Sequence, residues 1–383
     1  MTNASDLSAT RREQAIILIA AGLALTALGA VQAMYGPAFP SLMQRFGVGL
    51  DRVGDTVVLH FLGGLASTVA STFALQRYGY RRTLIVAGTF AAAGMLVAAV
   101  TPVWSLLLVG ATLGGFGFGL VNIVINLLVT RVFAARAAPV LNFLSALFGI
   151  GAILGPAAVA AIAAAGLNLT PLFFALGAAI TVATLVAARA PDPPVQTRDG
   201  SVQTPWGLAT GFALVFLFYV GAETSVASWE TTHLEPYVGA SRAAALTSLY
   251  WVMLTIGRFV AVPISLRVRP RYVVLSASIA SLVALALTHN SDLAPFAYAA
   301  AGFLMAPIFP TTLAWIAAVF PNRSERVIPY TFAIGTFGPI ASTAAIGAWA
   351  AAAGTDVIPT ALTLLVGTLV VITAGMLIAT RDR

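Results

Sequence analysis

The chain has 383 residues, of which 59% are hydrophobic and only 9% are charged. So few charges cannot cover a water-facing surface, which excludes an ordinary soluble domain and a disordered chain. Cysteine and lysine are absent, and 20 arginines give a net charge of +7. The missing cysteine excludes disulfides and thiolate metal sites, and the position of the arginines between apolar runs indicates a membrane surface rather than nucleic acid.

Long apolar runs follow one another along the whole chain. A helix needs about 20 predominantly apolar residues to span a bilayer, and these runs lack the two-residue alternation of membrane β-strands. The sequence therefore predicts an all-α membrane protein with twelve transmembrane helices, at 15–43, 56–76, 83–101, 103–130, 139–164, 171–189, 207–233, 243–266, 271–289, 293–319, 328–353 and 356–379. The first run is too long for a cleavable signal peptide, so we expect it to be retained.

Arginine placement predicts the orientation. With the N-terminus in the cytoplasm, sixteen arginines fall in cytoplasmic segments and three in outside loops, and Arg258 remains within a span. This asymmetry follows the positive-inside rule. We therefore expect a multi-pass protein of the cell (inner) membrane with both termini cytoplasmic.

A Pro-rich polar segment at 189–205 interrupts the chain after the sixth span and is typical of a linker. It predicts an N-terminal six-helix bundle at 1–189, a cytoplasmic linker at 190–206 and a C-terminal six-helix bundle at 207–383. The two halves share weak self-similarity, for example the Gly-Pro pairs at 155–156 and 338–339 in the fifth and eleventh spans. Two parallel six-helix repeats match the major facilitator architecture.

The loop after the second span reads Gln76-Arg77-Tyr78-Gly79-Tyr80-Arg81-Arg82. It resembles the major facilitator loop signature, in which a glycine precedes Asp-Arg-x-Gly-Arg-Arg. Gln76 stands at the Asp position and Tyr80 at an Arg position, so the ion pairing that this signature implies at the helix end is weakened. Arg77 and Arg81 remain as candidate gating or structural charges.

Several further stretches resemble the fucose/galactose/glucose:proton symporter (fucose permease-like) branch of that superfamily. They are Gly119-Leu120-Val121-Asn122, Leu141-Asn142-Phe143, 148–156, Tyr219-Val220-Gly221-Ala222-Glu223, Gly257-Arg258-Phe259 and 306–311. The resemblance implies a sugar carrier that works by alternating access. The acids that this branch places in its first and fourth spans for proton coupling are replaced here by Gly36 and Asn122, neither of which carries a proton.

Charged residues inside a span need a partner or a purpose, because each costs about 3 kcal/mol at the helix centre on insertion scales. Glu223 and Glu230 lie seven residues apart in the seventh span and therefore share one face. Glu223 is a candidate proton carrier and sugar-hydroxyl acceptor, or a structural partner of Arg258. Glu230 is a second candidate for proton coupling, or a wet residue of the outer vestibule. Arg258 is a candidate gating or structural charge.

Amides and aromatic faces suit a neutral sugar with many hydroxyl groups. The candidate substrate-binding residues are Glu223 and the side chains of Gln32, Tyr35, Asn122, Asn126, Asn142, Tyr219, Trp229 and Trp315. The alternative for the asparagines is interhelical hydrogen bonding, which is common in membrane bundles. Two histidines, His233 and His289, lie at the outer ends of spans, where we expect them to be solvated.

No catalytic motif, P-loop or dinucleotide fingerprint is found in the sequence, so we expect no enzyme, no catalytic residues, no cofactor and no metal. The leading hypothesis is a secondary transporter of a small polar solute, a monosaccharide, with possible proton coupling through Glu223. The alternatives are an uncoupled sugar facilitator, a drug or metabolite exporter or, from a different class, a transporter-like receptor or lipid scramblase. The expected partners are the solute, protons and the lipid bilayer, with no nucleic acid, and the expected state is a monomer.

Overall fold

The computed structural model describes residues 10–133, 137–193, 206–265, 267–320 and 324–381. These residues are helical, and no strand occurs among them. The helices are α1 (Arg11–Phe46), α2 (Leu50–Val53), α3 (Asp55–Val100), α4 (Trp104–Phe133), α5 (Ala137–Ala164), α6 (Thr170–Ala187), α7 (Trp206–Val238), α8 (Ala240–Ser265), α9 (Pro270–Leu287), α10 (Ala294–Met305), α11 (Ile308–Val319), α12 (Ser324–Gly335), α13 (Phe337–Ala353) and α14 (Val357–Ala379).

Within these described ranges, twelve segments are long and apolar enough to cross a membrane, which confirms the expected fold class. Two of them share α3, which changes direction at Gly79, and two others are interrupted, between α10 and α11 and between α12 and α13. Pro307 is the N-cap of α11, the second of the paired helices in the tenth span. The helix α1 continues through Pro37 and Pro40, since membrane helices tolerate proline where neighbouring helices pack closely.

Several helices extend beyond their predicted ends. The clearest case is α7, which continues to Val238 rather than ending near residue 233. It stops at Gly239, whose φ of 80° is the left-handed conformation that terminates a helix without a Cβ penalty. Because of this extra turn, His233 lies within α7 rather than at its end, and α10 covers its side chain.

The chain divides into two compact units. Unit 1 comprises residues 1–32, 59–155 and 168–199. Within it, glycines bring helix backbones together: a Cβ at Gly29 would overlap the Phe148 carbonyl, and one at Gly115 would overlap the His60 carbonyl. Small residues at such crossings are the usual means of helix association in a bilayer.

Unit 2 comprises residues 33–58, 156–167 and 200–383. The ends of the first two spans therefore pack with α7 and α13 in this unit. Gly36 lies directly against the backbone of Ala227 and Ser228, with no room for a Cβ. The predicted division at 1–189, 190–206 and 207–383 stays a prediction about the repeat halves.

The turn between the second and third spans is held by an acid that the motif analysis missed. Gly79 has φ 75° and ψ −179°, a region open essentially only to glycine. The helix restarts at Tyr80, where the Asp192 carboxylate accepts hydrogen bonds from the backbone N–H groups of Tyr80 (2.7 Å) and Arg81 (3.3 Å). Asp192 thus caps the new helix N-terminus from the end of the sixth span, although Gln76 occupies the position of the signature's acid.

We expect Gly79→Ala to lower the free energy of unfolding by about 1–3 kcal/mol, because alanine is strained at this φ and ψ. Its Cβ would also lie 2.6 Å from Asp192 Oδ1. Thermal unfolding of the purified protein in detergent measures the effect. Gly375→Ala is the matched control, since nothing lies within 4 Å of the added Cβ and the helix should be unchanged or stabilised. Equal melting temperatures for Gly79→Ala and wild type would contradict this account of the turn.

Candidate functional site

An ion pair joins the middle of the seventh span to the last third of the eighth span, within unit 2. Glu223 on α7 and Arg258 on α8 approach to 3.5 Å between Oε1 and Nη2. Tyr219 lies one turn before Glu223 on the same face of α7, and its hydroxyl donates a hydrogen bond to Oε1 at 2.9 Å. The carboxylate is therefore held by a cation and a hydroxyl on the same oxygen atom.

The ion pair is only partly shielded. The exposed side-chain fraction is 14% for Glu223 and 37% for Arg258, whereas Tyr219 and Tyr250 are buried. Tyr250 on α8 donates from its hydroxyl to the backbone carbonyl of Glu223 at 3.3 Å and so braces α7 at this residue. A charge within a spanning helix is tolerated when it is paired, and Glu223 and Arg258 meet that condition.

Glu230 lies two turns beyond Glu223 and is fully buried. Neither carboxylate oxygen has a hydrogen-bond partner in the described part of the chain. The expectation of a wet vestibule residue is therefore wrong in this structure. His233 is also buried rather than solvated, because Tyr298 of α10 covers it and its hydroxyl lies 3.0 Å from the His233 Nδ1. His289 is exposed, as expected.

Trp229 packs in the interior of unit 2. Its indole meets the Phe39 ring edge-on at a centroid separation of 5.2 Å. Gly54 and Gly347 lie against the same indole. A Cβ added to either glycine would lie within 3.3 Å of the Trp229 ring, so the ring would have to shift. In this structure Trp229 therefore joins the ends of the first two spans to α7 and α13, and its ring does not face a cavity.

The two asparagines of α4 lie in unit 1 and bond to their own helix. Asn122 donates from Nδ2 to the Phe118 carbonyl at 3.1 Å, and Asn126 donates to the Asn122 carbonyl at 2.7 Å. Asn126 is exposed and Asn122 is half-buried. Among the residues that the structure describes, the hydrogen bonds of both side-chain amides stay within α4.

The remaining candidates are distributed over both units. Gln32 is half-buried in unit 1, Tyr35 is buried in unit 2, and Trp315 is buried edge-on against Phe212 at 5.1 Å. The loop arginines are exposed residues of unit 1, namely Arg77 and Arg81. The side chain of Asn142 lies outside the described residues.

A separate cavity lies within unit 1, between α1, α3, α4 and α6. Its lining is almost wholly aliphatic, for example Leu28, Leu84 and Ile125. The Thr184 hydroxyl is already bonded to the Ile180 carbonyl at 2.8 Å. This cavity offers a sugar few hydrogen-bond partners. Among the residues described, no group of three or more His, Asp or Glu side chains is placed to hold a metal ion.

We expect removal of either ion-pair partner alone to be costlier than removal of both, because a single substitution leaves one charge unpaired within the membrane. Glu223→Gln and Arg258→Gln should each lower the free energy of unfolding by about 1–3 kcal/mol, between the values for exposed and fully buried pairs. The double variant should recover part of that loss. A double-mutant cycle by thermal or denaturant unfolding in detergent measures the coupling, and strictly additive effects would contradict a direct pair.

Comparison with known proteins identifies the family. Residues 21–235 match the family model of the Major Facilitator Superfamily. A curated relative, the glucose/mannose transporter GlcP of Bacillus subtilis (strain 168), is 23% identical over 330 residues, which cover 81% of this chain and 82% of the relative. The expected resemblance to this superfamily is thus confirmed.

Solved structures share the fold at low sequence identity. A D-xylose–proton symporter superposes with a TM-score of 0.77 at 13% identity, covering 94% of this chain and 96% of the other. A point mutant of the nucleoside transporter NupG gives 0.78 at 13% identity with coverage of 95% and 99%. A bacterial homolog of the human lysosomal transporter Spinster, in an inward-facing and unoccupied conformation, gives 0.73 at 15% identity with coverage of 97% and 98%. The chain is a multi-pass membrane protein of a transporter rather than an enzyme family, and it belongs to the Major Facilitator Superfamily.

Proposed function

We propose that the protein is a secondary transporter of a small polar solute, a monosaccharide, and that it works by alternating access. The observation that carries this proposal is the partly exposed Glu223–Arg258 pair within two spanning helices. Arg258 keeps more than a third of its side chain exposed within a span, where a charge is costly unless it is paired or reached by water. A water-accessible pathway reaching this depth is what a solute carrier requires.

The choice of a sugar rests on hydrogen-bonding chemistry and on the curated relative. The relative carries glucose and mannose by its name. Asn122 and Asn126 use Nδ2 to bond within α4, which leaves their carbonyl oxygens as acceptors for sugar hydroxyls. Gln32 and Asn142 are further proposed amide ligands. The proposed aromatic contacts of the sugar are Tyr35, Tyr219, Trp229 and Trp315. Because Trp229 is fully buried here, it can contact a sugar only after the helices around it separate.

Proton coupling through Glu223 is the second part of the proposal. The carboxylate is neutralised in this structure by Arg258 and by the Tyr219 hydroxyl. A proton on Glu223 replaces Arg258 as the neutralising partner, so that the ion pair and the protonated acid are alternative states of one site. Exchange between these states frees or restrains Arg258 on α8, which links proton binding to the arrangement of α7 and α8. Glu230 is the proposed second coupling residue.

An exporter of drugs or metabolites is the second candidate. The aliphatic cavity of unit 1 has a volume of only about 30 Å³, which is far too small for such a ligand, so it does not argue for export. The amides and the ion pair favour the polar solute, so we retain the sugar carrier as the principal proposal. An uncoupled sugar facilitator differs from it only in the role of Glu223.

We further propose a monomer in the cell (inner) membrane with both termini in the cytoplasm. The sixteen-to-three distribution of arginines supports this orientation. Each six-helix half, at 1–189 and 207–383, is proposed to be one of the two parallel repeats, with 190–206 as the cytoplasmic linker.

Uptake of radiolabelled glucose, mannose, galactose and fucose into proteoliposomes tests the proposal, with and without an inward proton gradient. We expect the wild type to accumulate at least one sugar when the gradient is present. Glu223→Gln should lose accumulation by about 10²-fold or more, the usual scale for removing a proton-transfer group. It should retain exchange of labelled for unlabelled sugar, because exchange requires no release of the proton.

Glu235→Gln is the matched control, since Glu235 is a half-buried carboxylate on the same helix but outside the ion-pair site. It should behave as wild type. Saturable uptake that ignores the gradient in every variant would replace coupling by facilitated diffusion. If folded wild type moves none of these sugars, the sugar proposal fails and the exporter becomes the leading candidate.

A further inference from the structure

Glu230 has an environment that packing alone does not explain. Its side chain is fully buried and both oxygens lack a hydrogen-bond partner among the described residues. The Thr247 hydroxyl of α8 lies near the carboxyl group, and it also lies 2.9 Å from the Thr231 hydroxyl. A buried carboxylate with no cation and at most one hydroxyl beside it is strongly disfavoured, and a bound proton removes that cost. The site is therefore built for a carboxyl group that can hold a proton.

Two tyrosines face this carboxyl group from neighbouring helices. Tyr298 of α10 and Tyr250 of α8 are fully buried and lie close enough to Glu230 to interact with it electrostatically. Tyr250 interacts in the same way with Glu223, Tyr219 and Arg258. Tyr250 therefore interacts electrostatically with both acids of α7, which are separated by two helical turns.

On the other side of Glu230, a buried histidine extends the cluster toward the helix end. The Tyr298 hydroxyl lies 3.0 Å from His233 Nδ1, and the Thr288 hydroxyl lies beside the same tyrosine. His233 interacts with Asp356 and His289, which are exposed residues. Tyr237 also contacts the His233 ring edge-on at 5.8 Å and donates to Asp356 Oδ1 at 3.3 Å.

We propose that Glu230 is a proton-binding site of its own, which His233 and Tyr298 connect to the water-exposed end of α7. The proposal rests on the proposed function for its purpose, namely the supply of protons to Glu223, but the proton site itself stands on this geometry. The ionisable groups that interact with Glu230 from neighbouring elements are Tyr250 on α8 and Tyr298 on α10, and His233 on α7 joins them through its hydrogen bond with Tyr298.

The transfer conserves protons at each atom. His233 takes a proton on Nε2 from water and releases one from Nδ1 to the Tyr298 oxygen. The Tyr298 hydroxyl then turns toward Glu230, with which it shares no hydrogen bond in this structure, and releases its original proton to a carboxylate oxygen. One N–H and two O–H bonds form, while one N–H bond and one O–H bond of the relay and one O–H bond of the water donor break. The histidine tautomer is restored when the ring exchanges protons with water.

Infrared difference spectroscopy of the reconstituted protein tests the proton site without any sugar. The wild type should show the carbonyl stretch of a protonated carboxyl group at neutral pH, with its shift in D₂O. The band should disappear in Glu230→Gln and persist in Glu235→Gln and in Glu223→Gln. A band that survives in Glu230→Gln, or no band in folded wild type, overturns the proposal.

Transport tests the connection. We expect Tyr298→Phe and His233→Gln to reduce gradient-driven sugar accumulation by about tenfold or more, while sugar exchange stays within about twofold of wild type. Both variants should keep the infrared band, which shows that the proteins are folded with Glu230 in place. Unchanged accumulation in both variants overturns the relay. If the wild type itself shows no proton-driven accumulation, the coupling in the proposed function fails, and the infrared band alone decides whether Glu230 binds a proton.

Discussion

The hydrocarbon interior of a bilayer solvates neither a free backbone amide nor a lone charge, and both the helices and the site follow from that constraint. The backbone satisfies its hydrogen bonds within helices, and glycines such as Gly29 and Gly115 allow these helices to cross closely. The charges that remain at depth are paired, as Glu223 is with Arg258, or lack any visible partner, as Glu230 does. The ion pair and Glu230 are the departures from an apolar interior on which the proposed function rests.

The acidic groups of the proposed coupling machinery lie on one helix. Gly36 and Asn122 occupy the positions at which the resembled sugar symporter branch places its acids, whereas α7 carries both Glu223 and Glu230. Tyrosines from α7, α8 and α10 surround these two carboxyl groups. In this account, proton handling is concentrated in the second half of the chain, and the amides of α4 in the first half contribute sugar contacts.

The sequence alone located the spans and showed that two acids lie within the seventh span, because long apolar runs and the charges that interrupt them are local signals. It was insufficient wherever a distant residue decides the environment. Asp192 caps the helix at Tyr80 from 112 positions away, and Tyr298 buries His233 from 65 positions away. The exposure expected for Glu230 was wrong for the same reason, because helix packing and not helix position sets burial. The ion-pair partner of Glu223 was foreseen as an alternative, since Arg258 is a rare charge within a span.

The most direct test of the account is proton movement caused by sugar alone. Glucose or mannose is added to proteoliposomes without an imposed gradient, and a pH-sensitive dye reports the external medium. The account predicts alkalinisation as sugar enters the wild-type vesicles, because each inward step takes a proton with it, and no pH change with Glu223→Gln. Entry of labelled sugar into wild-type vesicles with no accompanying pH change would contradict proton coupling at the Glu223–Arg258 site.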